Sequence, residues 1–279
     1  MLHKLTGRLG NQLWGLSEAF RLANHFQRQV ILDLGDNSAK GIPSPVLDFI
    51  RAQDWLEIRR FQDIDFATEF TPVSEDIYQD SVKHNFMFQG FVPTYNALCE
   101  SGLFKEGVKP DFLNEEDGNK MEQFVTIHIR RGDYVKNPHL GILPRAYYSK
   151  ALDYLCSNFD VDGLPLMVFG DSPFDKSTRL IPKKYRDKVL NHDYHNDLLA
   201  ELRLMSQGLA FISSNSTLSY LASFISSSHS IVIPNPFYLA IPGWNEQLRS
   251  NRTIEVNYTM SKKLRYLVLR ARKRMSKFN

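Results

Sequence analysis

The sequence lacks any long hydrophobic run and has almost no cysteine. No apolar stretch approaches the ~18 residues a membrane-spanning helix needs, and Met1 to Thr6 contains no apolar block that would serve as a secretory leader. The expectation is a cytoplasmic chain. Its 279 residues hold two cysteines, Cys99 and Cys156, far apart and without histidines at ligand spacing. A disulfide or a zinc site has little support in that spacing, and the expectation is two structural free thiols. Net charge is small too. The formal net charge is +3, yet eight lysines and arginines and no acid fall between Lys262 and Lys277, so the basicity belongs to the tail and the remainder is net negative. What is plentiful is ordinary core material. With 43% hydrophobic, 23% charged and 12% aromatic residues the chain is globular, and its length suits two lobes rather than one small domain.

Periodicity gives an α/β reading. Leu13, Leu16, Phe20 and Ala23 lie at helical spacing behind a glycine-bearing turn, Gly7 to Asn11, and lead into the apolar run Val30 to Leu32. Phe124 to Ile129 is almost continuously apolar, as a strand buried on both faces must be, and it stops at Arg130-Arg131-Gly132-Asp133. Pro144 then opens a helix with Tyr148, Ala151, Leu152 and Leu155 on one face, and Pro165 to Phe169 supplies the next strand, ending at Gly170-Asp171. A helix through Leu198, Leu202 and Met205, a strand Leu209 to Ile212, a helix from Ser216 and a strand Ser230 to Ile233 continue the alternation. Strands that alternate with helices imply parallel sheets. Residues 35–121 show only one amphipathic piece, Asp48 to Ile58, and the lobe boundary falls near Gly118 to Glu122. The expected division is 1–120, 121–260 and a tail, 261–279.

In parallel sheets, ligands bind beyond the carboxyl ends of the strands, where turns and helix N-termini converge. Three turns of the second half fit. In His128 to Asp133, Arg130 offers a fork of donors that suits two phosphate oxygens, and Gly132 lets the backbone turn tightly. The plainer alternative is that Arg130 or Arg131 pairs with Asp133 to fasten the turn. In Ser213 to Thr217, the Ser216 and Thr217 hydroxyls either cap the following helix or donate to an anion at its positive end. In Gly170-Asp171-Ser172, a strand-end carboxylate is placed to accept from a base or ribose. The Gly7 to Gln12 turn has neither dinucleotide glycine spacing nor a P-loop lysine. Two Asp-x-Asp pairs, Asp63/Asp65 and Asp160/Asp162, follow no buried strand and read as solvated loops, so no metal is expected.

Taken in order, GRLGNQLW (Gly7 to Trp14), HIRRGDYV (His128 to Val135), LRLMS (Leu202 to Ser206) and FISSNSTLSYLASFIS (Phe211 to Ser226) resemble the α-1,2-fucosyltransferases of glycosyltransferase family 11, the bacterial ones in particular. The resemblance implies a GT-B-like fold of two Rossmann-like lobes facing a cleft: the first on the acceptor side, the second binding the nucleotide sugar. It also implies inverting transfer of L-fucose from GDP-fucose to the 2-hydroxyl of a terminal β-galactoside in a bacterial surface glycan, without metal. By position, Arg130 would hold the β-phosphate, and His128 and Asp171 would lie near the guanosine. Ser216 and Thr217, with Ser214 and Asn215 beside them, would bind the donor at their helix start, and Gly10 and Asn11 would approach it from the other lobe. Many relatives carry two tryptophans where this chain has Tyr220-Leu221, and two acids where it has Asp171-Ser172.

Such a transfer needs fixed donors for the departing nucleotide, and Arg130 with helix-end amides would supply them. Asp133, His128 and Glu18 are the candidates for general base. In the tail, Leu264, Leu267, Val268, Ala271 and Met275 share a helical face among lysines and arginines, the pattern of a helix lying in an anionic membrane surface. Lipid-linked glycans as acceptors and peripheral contact with the inner membrane face follow as expectations. The rival readings are a transferase of another nucleotide sugar, a protein O-fucosyltransferase, and a nucleic-acid binder working through the tail.

Overall fold

The computed structural model of the chain describes residues 2–4, 8–27, 29–33, 42–54, 56–59, 71–72, 86–89, 95–113, 123–136, 141–171, 177–190, 197–235 and 250–258. Asp63, Asp65 and the basic tail lie outside the described residues. The chain divides into two compact units, Met1–Glu106 with Pro110–Glu115, and Gly107–Lys109 with Glu116–Asn279. Among the described residues no helix is long and apolar enough to cross a membrane.

The first unit is built on five parallel strands, β1 (Leu2–Lys4), β2 (Val30–Asp33), β3 (Leu56–Arg59), β4 (Thr71–Pro72) and β5 (Phe86–Gln89), ordered β3-β2-β1-β5-β4. Its helices are α1 (Leu9–Phe26), α2 (Ser44–Arg51) and α3 (Tyr95–Ser101). The glycine-bearing turn expected at Gly7 to Asn11 is not a turn throughout: α1 begins at Leu9, with Arg8 as its N-cap residue, so Gly10 and Asn11 sit in its first turn. The apolar face of α1 includes Leu9, Leu13, Trp14, Leu16 and Phe20, all buried. Each large apolar side chain so removed from water contributes roughly 1.5–3 kcal/mol. Phe20 stacks on Phe49 of α2 at 5.9 Å, and Phe49 meets Phe112 of the 3-10 turn Asp111–Leu113 at 5.4 Å, which ties both helices to one aromatic cluster. The amphipathic stretch Asp48 to Ile58 divides between the end of α2 and β3.

The second unit carries six parallel strands, β6 (Val125–Ile129), β7 (Leu166–Gly170), β8 (Val189–Leu190), β9 (Ala210–Ile212), β10 (Ser230–Asn235) and β11 (Thr253–Asn257), ordered β11-β10-β9-β6-β7-β8. Its helices are α4 (Gly132–Lys136), α5 (Arg145–Asn158), α6 (Leu198–Met205) and α7 (Thr217–Ile225). β6 is wholly buried, as its apolar run requires. Val125, Ile127 and Ile129 share a core with Tyr147, Tyr148, Ala151, Leu152 and Leu155 of α5. The alternate residues face the other way, so Thr126 donates to the Met205 carbonyl of α6 and His128 reaches the loop after β9. From β6 the chain lays down β7 and β8 on one side, then returns to place β9, β10 and β11 on the other. The order reverses between β6 and β9, and at such a switch point a crevice opens beyond the strand ends.

Candidate active site

Two turns flank that switch point, and the site is built from them. After β6 the chain runs into Arg130, Arg131 and the short α4. After β9 it runs through Ser213, Ser214 and Asn215 to the N-cap Ser216 of α7. His128 Nδ1 and Ser214 Oγ, 2.7 Å apart, join the turns, as does the Tyr134 hydroxyl, which donates to the Asn215 carbonyl at 2.9 Å. Beneath them the Tyr147 hydroxyl donates to the Ser213 carbonyl at 2.6 Å. Tyr134 and Tyr147 thus fasten the turn after β9 to the helices that carry them, a role with no local signal in the sequence because each bond joins residues far apart along the chain.

Arg130 is held on three sides. Nη2 meets Asp133 Oδ1 at 2.6 Å, Nη1 meets Asp171 Oδ2 at 2.9 Å, and the guanidinium lies 5.2 Å from the Tyr134 ring centroid. Its side chain is 14% exposed, and among the described residues its buried Nε has no hydrogen-bond partner. The fastening of the turn through Asp133 is therefore present, but it uses one arm of the fork. Asp133 is the more exposed carboxylate, at 40% against 17% for Asp171, so it is the one an incoming anion would displace at least cost.

Asp171, read from the sequence as an acceptor for base or ribose, has both oxygens engaged within the protein. Oδ1 accepts from the Arg131 and Gly132 amides at 2.8 and 2.9 Å, and Oδ2 takes Arg130. Burial pushes this carboxyl up, but the Arg131 amide, the Arg130 charge and the Gly132 amide outweigh it and hold it below its usual range. His128 is 3% exposed. Burial, helped by the Arg130 charge and opposed by Asp171, pushes its imidazole down to about 3. His128 is thus neutral at physiological pH, a hydrogen-bonding group rather than a ready proton acceptor.

The serine turn departs from expectation in a useful way. Ser214 and Asn215 are fully buried. Ser214 pairs with His128 and the Asn215 amide donates to the Gly141 carbonyl, so both side chains are engaged within the protein. Ser216 makes no side-chain cap hydrogen bond to α7, which leaves first-turn amides of a nine-residue helix without that cap. Gly10 and Asn11 belong to the first unit, in α1. Glu18, also on α1, is fully buried and gripped by Arg21 Nε and Nη2 at 2.8 and 2.5 Å, a structural ion pair in place of a general base. Asp160 and Asp162 are exposed, and Asp162 pairs with Lys188 at 3.1 Å.

Glu201 of α6 went unremarked in the sequence, yet it is a buried carboxyl close enough to feel the site. Burial first, then the Asp171 charge, lift it to about 7 against the pull of Arg130. The signal was there: Glu201 stands four residues before Met205, on the helix face that is otherwise apolar.

The profile of Glycosyl transferase family 11 matches residues 105–259, more than half of the chain. The O-antigen biosynthesis glycosyltransferase WbnK of Escherichia coli is 28% identical over 116 residues, which are 40% of this chain and 37% of that protein. The matched segment therefore spans well under half of that relative's length. Among solved structures, the α-1,6-fucosyltransferase NodZ soaked with GDP-fucose is 12% identical and has a TM-score of 0.52, over 82% of this chain and 92% of its own. NodZ from Bradyrhizobium covers the same shares with a TM-score of 0.51. At this identity the likeness speaks for the fold, which is of the GT-B type. With the motif-bearing unit matched from its first loop to its last strand, the chain belongs to glycosyl transferase family 11.

Proposed function

We propose that the chain transfers L-fucose from GDP-fucose to the 2-hydroxyl of a terminal β-galactoside in a bacterial surface glycan, with inversion and without a metal. The observation that carries this reading is Arg130 at the end of β6, a partly buried guanidinium, next to the strand β9 whose following turn leads into α7, where the N-cap Ser216 makes no side-chain cap hydrogen bond. A diphosphate matches that pair of features. The guanidinium neutralises its charge with a planar fork, and helix amides take the remaining oxygens. WbnK, named for O-antigen biosynthesis, and NodZ, soaked with GDP-fucose, support the donor and the glycan setting. NodZ is named as an α-1,6 enzyme, so the 1,2 linkage rests on the HIRRGDYV and GRLGNQLW resemblance.

The acceptor hydroxyl attacks the anomeric carbon from the face opposite GDP, and the carbon–oxygen bond to the β-phosphate breaks as the new one forms. Negative charge grows on the phosphate, where Arg130 and the α7 amides meet it. His128, neutral and braced by Ser214, offers a directional hydrogen bond to the nucleoside. Of the three base candidates, Asp133 alone keeps substantial exposure and stands next to the guanidinium. Incubating the chain with GDP-fucose, lactose and EDTA, then assigning the product linkage by NMR, tests the reading. A trisaccharide fucosylated at the galactose 2-hydroxyl is expected. A 6-linked product, or turnover with UDP-galactose in place of GDP-fucose, contradicts it.

A further inference from the structure

Gly132 raises a question that the turn alone does not answer. It is not among the residues with positive φ, so no left-handed conformation demands a glycine. What forbids a side chain is space: a Cβ there would overlap Asp171 Oδ2 and lie 2.8 Å from Asp171 Cγ. Gly170 makes the same point one residue before Asp171, because a Cβ there would stand 2.5 Å from the Ile129 carbonyl oxygen. The ends of β6 and β7 are thus drawn together around one carboxylate. That carboxylate takes hydrogen bonds from two consecutive backbone amides on one oxygen and forms an ion pair with a guanidinium nitrogen through the other.

We propose that Asp171 is a positioning residue. Its carboxylate fills the amide nest of the β6 turn and sets the direction in which Arg130 presents its free donors to the diphosphate, and Gly132 is a glycine to admit it. This rests on the diphosphate reading above, and it moves Asp171 from contact with the nucleoside to action through Arg130. Asp133 holds the other guanidinium nitrogen from an exposed position and gives way to ligand; Asp171 stays.

The test is calorimetric binding of GDP and of inorganic pyrophosphate, with the rate of GDP release from GDP-fucose, on the full chain and its variants. Asp171→Asn keeps the size and one acceptor oxygen but turns an amide donor toward Arg130. It is expected to weaken GDP and pyrophosphate by the same factor, about 10- to 100-fold, and to slow GDP release. A residue that touched the nucleoside would weaken GDP and spare pyrophosphate, which overturns the proposal. Gly132→Ala is expected to cost at least about 10-fold in the parent but less than about two-fold in an Asp171→Ala background, since the overlap is then gone. Additive losses overturn it even if Asp171→Asn folds poorly. Arg130→Ala separates the two levels. If that variant loses GDP while Asp171→Asn binds within about two-fold of the parent, the positioning role falls and the diphosphate reading stands; if Arg130→Ala binds normally, both fall.

Discussion

At the residue scale the charge balance of the switch point decides what the site does. Arg130 faces two carboxylates, and a bound diphosphate has to compete with the exposed one, Asp133. Lysine at 130 retains the charge but not the planar fork, so Arg130→Lys is expected to reduce kcat/KM by about 10²- to 10³-fold with the fold intact, as read by steady-state kinetics and circular dichroism. The buried Glu201 contributes to pH dependence. Its folded pKa, about 7, lies above the ordinary value of 4.5, so the native state holds a proton that the unfolded chain has released between those limits. Stability from this group is therefore present below pH 4.5 and lost as pH rises to about 7, a term on the order of 3 kcal/mol. His128 works in the opposite sense, because its folded value of about 3 makes stability fall as pH drops below 6.5. Glu201→Gln isolates the first effect. Its melting temperature is expected to match the parent near pH 4.5 and to exceed it by several degrees at pH 8, and equal melting at both would show that Glu201 is not an ionising core residue.

At the element scale the βαβ alternation of the second unit was legible because the central strands β6, β9 and β10 are buried on both faces and α5 has one apolar stripe. Phe124 to Ile129, Pro165 to Phe169, Leu209 to Ile212 and Ser230 to Ile233 all became strands within a residue or two. The strands of residues 35–121 were not legible: β4 is two residues long, and β3 and β5 are four each, too short for a period to declare itself. The start of α1 was misplaced because Gly10 reads as a turn signal, although in a first helical turn it costs little. Within the site, the sequence pointed to Arg130 and to the serine turn. What it could not give was that Ser214 and Asn215 sit beneath the surface or that Asp171 closes on the amides of the turn after β6, since the first depends on β6 lying beside β9 and the second on β6 lying beside β7. The far end of α7 shows what holds that helix in place. Arg252 donates to the Ser226, Ser228 and Phe224 carbonyls at 2.7, 2.9 and 3.1 Å, satisfying the helix's carbonyl end from the start of β11. Arg252→Ala should lower stability by about 2 kcal/mol, a few degrees in melting temperature, through this lost cap. A melting temperature unchanged to within a degree would mean that α7 is anchored by its apolar face alone.

At the scale of the whole molecule, two α/β units, each with a parallel sheet, carry the chain, and the turns after β6 and β9 both belong to the second. The pattern of residues 262–279 alone supports a further proposal, that the basic tail would contact an anionic membrane surface, where lipid-linked acceptors would be met. Removing those residues is expected to abolish co-flotation with liposomes rich in anionic lipid while GDP binding persists, and equal flotation of both forms rejects the idea. The central claim concerns Arg130 and a nucleoside diphosphate. Isothermal titration of GDP into the full chain and into Arg130→Ala tests it most directly. Saturable one-site binding that weakens by about 100-fold or more in the variant is the expected result, and binding of equal strength in both would contradict it.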